Sequence, residues 1–383
     1  MNQKTIEGIE GQIIQESIPE FQDQQIEPLQ FQSIEKNKIL KYQINNISNQ
    51  YILINSIKND QTCYSIALNQ DDTLLLASAD SLIKIYQFKK GEIKYIQQVA
   101  IHQKDVNILK FSKQYNSDSF ISASDDLSIK LTSSFTMSNP KVYQKLTGHS
   151  YSISGLLYNQ KGDLIVSSSY DNTIKFWSNN SKTKFGWICT QTIYDHKNSI
   201  YSISFNELEN EIISCGEDNL LLVLYQYDLI WRVKQQIRLN FFGIRLCFID
   251  MNTFIFLSYS SSYLEVYQRI DSRSQYLKIT NFAIAGVDQP CQTYYPSSFN
   301  IPKQLLFIKN GYNLNILKYN HESSSQFQFQ LTQVIEFNFG FNEIFGEVEH
   351  GDIYGVVSEN GDFLFTWDAK SRQIQIRKYQ KKL

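Results

Sequence analysis

Residues 146–177 read LTGHSYSISGLLYNQKGDLIVSSSYDNTIKFW. The stretch opens on Gly148-His149, runs through two segments in which apolar and small polar side chains alternate, and closes on Asp171 and, six residues later, Trp177. Alternation with period two is the mark of half-buried strands, and "NQKGD" and "YDN" are turn clusters between them. No reactive partner stands beside the His, the Asp or the Trp. Their regular placement therefore points to structure before chemistry.

The pattern recurs on both sides. "VNILKFSKQYNSDSFISASDDLSIKLT" (106–132) follows His102, and "SIYSISFNELENEIISCGEDNLLLVLY" (199–225) follows His196. "TCYSIALNQDDTLLLASADSLIKIY" (62–86) follows Asn59 at the same offset. His102, His149 and His196 are spaced 47 and 47 apart, and Asp80, Asp126, Asp171 and Asp218 are spaced 46, 45 and 47 apart. Units of this length with about four strands each, and no helical periodicity between them, predict the blades of a propeller.

Weaker units continue the rhythm at 243–268, 303–319 and 343–368, the last ending on Trp367-Asp368. Unit starts near 62, 106, 152, 199, 243, 290 and 343 predict seven blades. The stretch AGVDQPCQTYYPSSFNIP (285–302) reads as a long loop. Two segments compete for the outer strand of the last blade, 51–57 and 372–380, and the sequence does not choose between them. Residues 1–35 are rich in Gln and Glu and predict a flexible acidic arm, leaving residues 36–383 as the propeller.

Gly-His, a turn Asp and a Trp six residues on resemble the WD40 repeat. The resemblance implies an all-β chain forming a single WD40-type β-propeller. It also implies a buried hydrogen-bond network within each blade, here His149, Ser167, Asp171 and Trp177, with His102 and Asp126, His196 and Asp218, and Asp80 in the sister units. Only the third unit is complete. Tyr86, Thr132 and Leu224 stand where Trp177 stands, and Asn59 replaces the first His. The spacing of Trp187, Cys189 and His196 is also similar to WD40 proteins of cytosolic iron–sulfur assembly, which implies an adaptor role as one alternative.

Function classes narrow from the other side. The 383 residues carry 36 Lys+Arg against 38 Asp+Glu, a net charge of −2, so no strong field favours nucleic acid or an anionic membrane. The five Cys lie outside metal-clip spacing and suit reduced core thiols. No apolar run suggests a signal peptide or a span, so a soluble intracellular protein is expected, cytoplasmic with nuclear placement left open. There is no phosphate loop, zinc-protease motif or nucleophile elbow. Asp71-Asp72 reads as a turn, not a calcium loop, and His321 and His350 are lone turn residues. A propeller enzyme with a site in its central channel is the competing reading, weakened by the shortage of free His and clustered carboxylates.

The expectation is thus a non-catalytic scaffold that binds other proteins and organises a complex. It has no cofactor, no metal, no nucleic-acid or membrane partner and no small-molecule substrate. The rigid turn residues just before each network Asp, namely Asp125, Tyr170 and Glu217, and those two past each His, namely Lys104, Tyr151 and Asn198, form the candidate partner-binding face. Trp187 and Trp231 open outer strands and read as packed edge aromatics, with an exposed binding role as the alternative.

Overall fold

A computed structural model describes residues 49–381 apart from 113–118, 134–139, 180–185, 260, 287–296, 321–327 and 338–351. The expected arm (1–35), His321, His350, Cys291 and most of the 285–302 loop lie outside the described residues.

The described chain folds into seven four-stranded antiparallel sheets, the blades of a β-propeller. The first six are consecutive meanders whose inner strands begin at Ile66, Val106, Ile153, Ile200, Gly243 and Ser298. The seventh uses both ends of the chain. Ile353–Val357 is its inner strand, Phe363–Asp368 the second, Gln373–Lys381 the third and Asn49–Lys58 the outer one. Both competing segments are therefore used, and the N-terminal one takes the edge.

Trp367-Asp368 lies on the second strand of that blade, not at the end of a third strand as the unit spacing implies. The Trp367 indole instead donates to the backbone oxygen of Asn59 at 3.0 Å and ties the last blade to the chain that enters the first.

Burial along the strands shows where the core lies. Both faces of the second and third strands are covered by neighbouring blades, so those strands read almost continuously apolar, as Leu74–Ala79 and Thr253–Ser258 do. The buried apolar residues form seven clusters, and each spans two adjacent blades. Cohesion is thus between blades. Within blade five Gly243 passes over the ring of Phe256, where a Cβ would come within 1.8 Å of Cε2. Only glycine fits there.

The blades are also latched at their outer edges. The Gln144 side-chain amide accepts from the backbone N–H of Trp187 at 2.9 Å and donates to its carbonyl at 2.7 Å. Gln191 makes the same pair of bonds to Trp231, Gln235 to Tyr276 and Gln333 to Tyr51. Each latch joins the outer strand of one blade to the start of the outer strand of the next. Trp187 and Trp231 are buried, the latter stacked 5.2 Å from Phe176 of the preceding blade. This favours the packed-aromatic reading of both.

Between blades four and five lies a buried ion pair. Arg269 Nη1 meets Glu211 Oε1 at 2.6 Å, both side chains are 2% exposed, and Tyr276 donates its hydroxyl to Glu211 at 3.1 Å. Arg269 also bonds Asn252 and the Met251 carbonyl and lies 4.7 Å over the Tyr276 ring. The pair is hydrogen-bonded on every side, the condition under which burying two charges is tolerable.

Candidate interaction face

The turn between the second and third strands of a blade opens on one face, here the upper face, beside the segment that enters the inner strand. Three of these turns share one construction. In blade three, His149 Nδ1 lies 2.8 Å from Asp171 Oδ2 and Nε2 lies 2.8 Å from Ser167 Oγ, while Trp177 donates its indole N–H to Ser167 at 2.9 Å. The consistent proton arrangement has Ser167 accept from Trp177 and donate to Nε2, and Nδ1–H donate to Asp171.

Asp171 also accepts from the backbone N–H of Ser150 and Thr173 and from the Thr173 hydroxyl. Burial alone would raise its carboxyl. The bonds from His149 and Thr173 outweigh that and hold it well below the usual carboxylate range.

Blades two and four repeat the chain without the Trp. His102 bridges Asp126 at 2.8 Å and Ser122 at 2.7 Å, and His196 bridges Asp218 at 2.9 Å and Ser214 at 2.9 Å. Burial keeps the His102 ring below its ordinary pKa against the pull of Asp126, so the imidazole is neutral and the Asp carries the charge. Asp126 and Asp218 lie below the usual range as Asp171 does, burial again being overcome by hydrogen bonds. Where Trp177 would stand, Leu224 leaves nothing polar, and the Thr132 hydroxyl is buried without a partner. Ser122 and Ser214, four residues before their Asp, were not singled out from the sequence. That constant offset is the signal that finds them.

Asp80 is a correction. It is exposed, and among the described residues its carboxylate takes only the Thr62 N–H at 3.1 Å. Its backbone N–H bonds the Thr62 carbonyl, just as the N–H groups of Asp125, Tyr170 and Glu217 bond those of Asp105, Ser152 and Ser199. Asp80 therefore occupies the position before the network Asp. The first turn is one residue shorter, and Asn59 is buried against Lys84 and Gln61 in place of a His.

That register aligns the upper face around the ring. Two residues past each accepting carbonyl come Tyr64, Asn107, Ser154, Tyr201, Ile244 and Tyr354. In blades two to five this position is a β-bulge at the top of the inner strand. A bulge re-aims its side chain. Asn107 thereby reaches Asp125, donating at 2.6 Å, and Tyr201 bonds Glu217.

An aromatic arc follows from Tyr170 to Tyr201 (5.8 Å), from Tyr201 to Phe242 (5.9 Å) and from Phe242 to Tyr259 (4.9 Å), crossing three blades. Tyr151 stands beside it, 65% exposed. Lys104 and Asn198 are exposed on the same face, Asn198 bonding the Ser199 N–H.

Cys63, Cys215 and Cys247 are buried free thiols, burial pushing Cys63 and Cys247 up to about 12. Cys189 is exposed, Trp187 is buried, and His196 is engaged with Asp218. Among the described residues no group of His, Cys, Asp and Glu is arranged to hold a metal ion, and no helix is long and apolar enough to cross a membrane.

Seven sheets in a ring, with His–Ser–Asp chains pinning the upper turns, define a β-propeller of the kind that presents rigid loops to other proteins. The chain carries WD40 repeats: the family model "WD domain, G-beta repeat" matches residues 140–178 and 187–223. Each match begins on the outer strand of one blade and ends on the third strand of the next, so each sequence repeat bridges two blades. The chain is 29% identical over 115 residues to "Probable coatomer subunit beta'" of Schizosaccharomyces pombe (strain 972 / ATCC 24843). That alignment covers 30% of this chain and 14% of the relative, so the chain spans a small part of the relative's length. Repeats and relative together support a protein-interaction scaffold.

Proposed function

We propose that the protein is a non-catalytic platform that holds partner proteins on its upper face and so organises a multiprotein complex. The observation that carries this reading is the aromatic arc from Tyr170 to Tyr259 with Tyr151 at its side. These are large rings packed edge to edge, and Tyr170 stands on a turn already fixed by buried hydrogen bonds, so little conformational entropy is lost when a partner covers them. The relative is by its name a subunit, which agrees with a role inside an assembly.

The test is capture of native partners by the full chain and by Tyr151→Ala with Tyr170→Ala, followed by quantitative mass spectrometry. Neither ring belongs to the His–Ser–Asp chains, so the fold should persist by circular dichroism. Loss of specific stable partners supports the reading. Unchanged capture moves the binding face elsewhere.

A further inference from the structure

The side of the upper face facing blades seven, one and two is built differently from the aromatic arc. Asp80 and Asp125 occupy equivalent turn positions, and Asp105 and Asp352 occupy equivalent positions before their inner strands. The Asp80 carbonyl accepts from the Val106 N–H at 2.9 Å and the Asp105 carbonyl from the Asp125 N–H at 3.0 Å, so three of the four are held together by backbone bonds. Among the described residues no ion pair engages Asp80, Asp105 or Asp125.

Asn107 lies among them, 1% exposed. Its amide nitrogen is committed to Asp125, which fixes the orientation of the group, since the flipped amide would set oxygen against carboxylate. Its Oδ1 is then a buried acceptor without a donor. A buried acceptor left unpaired is costly.

The electrostatics agree with the geometry. Burial and then the charges of Asp105, Asp352, Asp125 and Asp80 push the Tyr64 phenol up to about 12. Burial and then Asp80 and Asp125 raise Asp105. Positive groups nearby include exposed Lys104, Lys84, which feels the charge of Asp80 but is held by Asn59 and Gln61, and buried Lys309, whose Nζ lies 5.7 Å over the Tyr354 ring. Tyr354 in turn meets Tyr64 edge-on at 5.3 Å. The carboxylates do not converge as ligands to one metal ion do. Spread acceptors beside an aromatic pair suit a larger donor-rich cation.

We propose that Asp80, Asp105, Asp125 and Asp352, with the amide oxygen of Asn107, receive a lysine or arginine side chain presented by an extended segment of a partner protein. The proposal rests on the platform reading above and names the chemistry of the partner. The cation supplies the N–H donor that Asn107 Oδ1 lacks and relieves repulsion among the carboxylates.

The experiment uses the full chain and a fluorescein-labelled Gly-Ser-Lys-Arg-Lys-Ser-Gly peptide, with its Gly-Ser-Gln-Gln-Gln-Ser-Gly counterpart, read by fluorescence polarisation. The basic peptide is expected to bind, weakening with added salt, and the Gln peptide is not. Asp105→Asn with Asp125→Asn should weaken binding about tenfold or more, while the lower-face pair Asp71→Asn with Glu359→Gln leaves it unchanged. Because Asp105 is held at a raised pKa, Asp105→Asn should not lower the melting temperature, which separates lost recognition from lost fold. Equal binding of both peptides, or equal weakening by both pairs of substitutions, overturns the proposal. Partner capture that survives Asp105→Asn with Asp125→Asn but fails in Tyr151→Ala with Tyr170→Ala overturns it too and leaves the platform reading standing.

Discussion

The side-chain amide of Gln333 holds both backbone groups of Tyr51, 282 residues away in sequence, accepting from its N–H at 2.8 Å and donating to its carbonyl at 3.0 Å. Tyr51 is itself buried, with its hydroxyl on the Gly361 carbonyl at 2.6 Å and its ring 5.6 Å from Phe307. One residue thus joins the sixth and seventh blades where the chain closes on itself.

Removing that latch should loosen the closure before the rest. Gln333→Ala strands two backbone groups, and a loss of about 2 kcal/mol is expected. Hydrogen exchange should show Asn49–Lys58 opening at lower free energy than the inner strands, and more so in the variant. Uniform protection across the ring in both proteins would contradict this.

The His–Ser–Asp chains make blades two and three comparable. Asp171→Ala and Asp126→Ala should each lower stability by about 1–3 kcal/mol, since each strands a buried His. The carboxyls of Asp126, Asp171 and Asp218 lie lower in the folded state than in an unfolded chain. Their contribution is therefore complete above about pH 4 and is lost as pH falls below it. Denaturant melts between pH 2 and 7 should show a shallower acid loss in Asp171→Asn than in the parent.

Asp72 should behave with the opposite sign. Its Oδ1 is buried without a partner, and burial, then Glu359, Asp362 and Asp71, push the carboxyl up to about 6. The folded state holds the proton more tightly than the unfolded chain, so stability falls as pH rises from about 4 to 6 and stays lower above that. Asp72→Asn, which also tolerates the φ of 52° at this position, should raise the melting temperature at pH 7 and leave it nearly unchanged at pH 3.5.

Breaking the buried pair between blades four and five should be the most damaging single polar change. Glu211→Ala leaves Arg269 charged and buried, with an expected loss of about 3–5 kcal/mol. Glu211→Met with Arg269→Met should recover much of that loss, measured by urea unfolding. A double variant as unstable as the sum of the singles would show that the pair acts through packing alone.

The blade count and the His–Asp spacing were legible because they repeat in a fixed register, and every blade needs the same turn. Asp80 was misaligned because its turn is one residue shorter, which shifts the Asp to a different role while preserving the apparent period. Trp367 misled because residue type was read without strand position. The Gln latches recur at near-blade spacing, yet Gln is common throughout this chain and the four stand out only when their partners' backbones are seen. Blades five and six have no His–Asp chain, and nothing polar in the sequence marked them. Ion pairing and stacked rings, such as Phe254 on Tyr267 at 5.0 Å, take its place in blade five.

The closure of the seventh blade has a consequence for how the protein is made. Asn49–Lys58 leaves the ribosome ahead of every other described strand, but its hydrogen-bonding partner Gln373–Lys381 is the last of the described strands to be translated. At about 5–20 residues per second, that strand waits on the order of tens of seconds with its backbone unpaired. Six blades can assemble in order behind it. A chaperone that sequesters nascent strands would therefore be needed most at Asn49–Lys58, and a ribosome stalled just short of residue 373 would hold an open ring with an unclaimed edge.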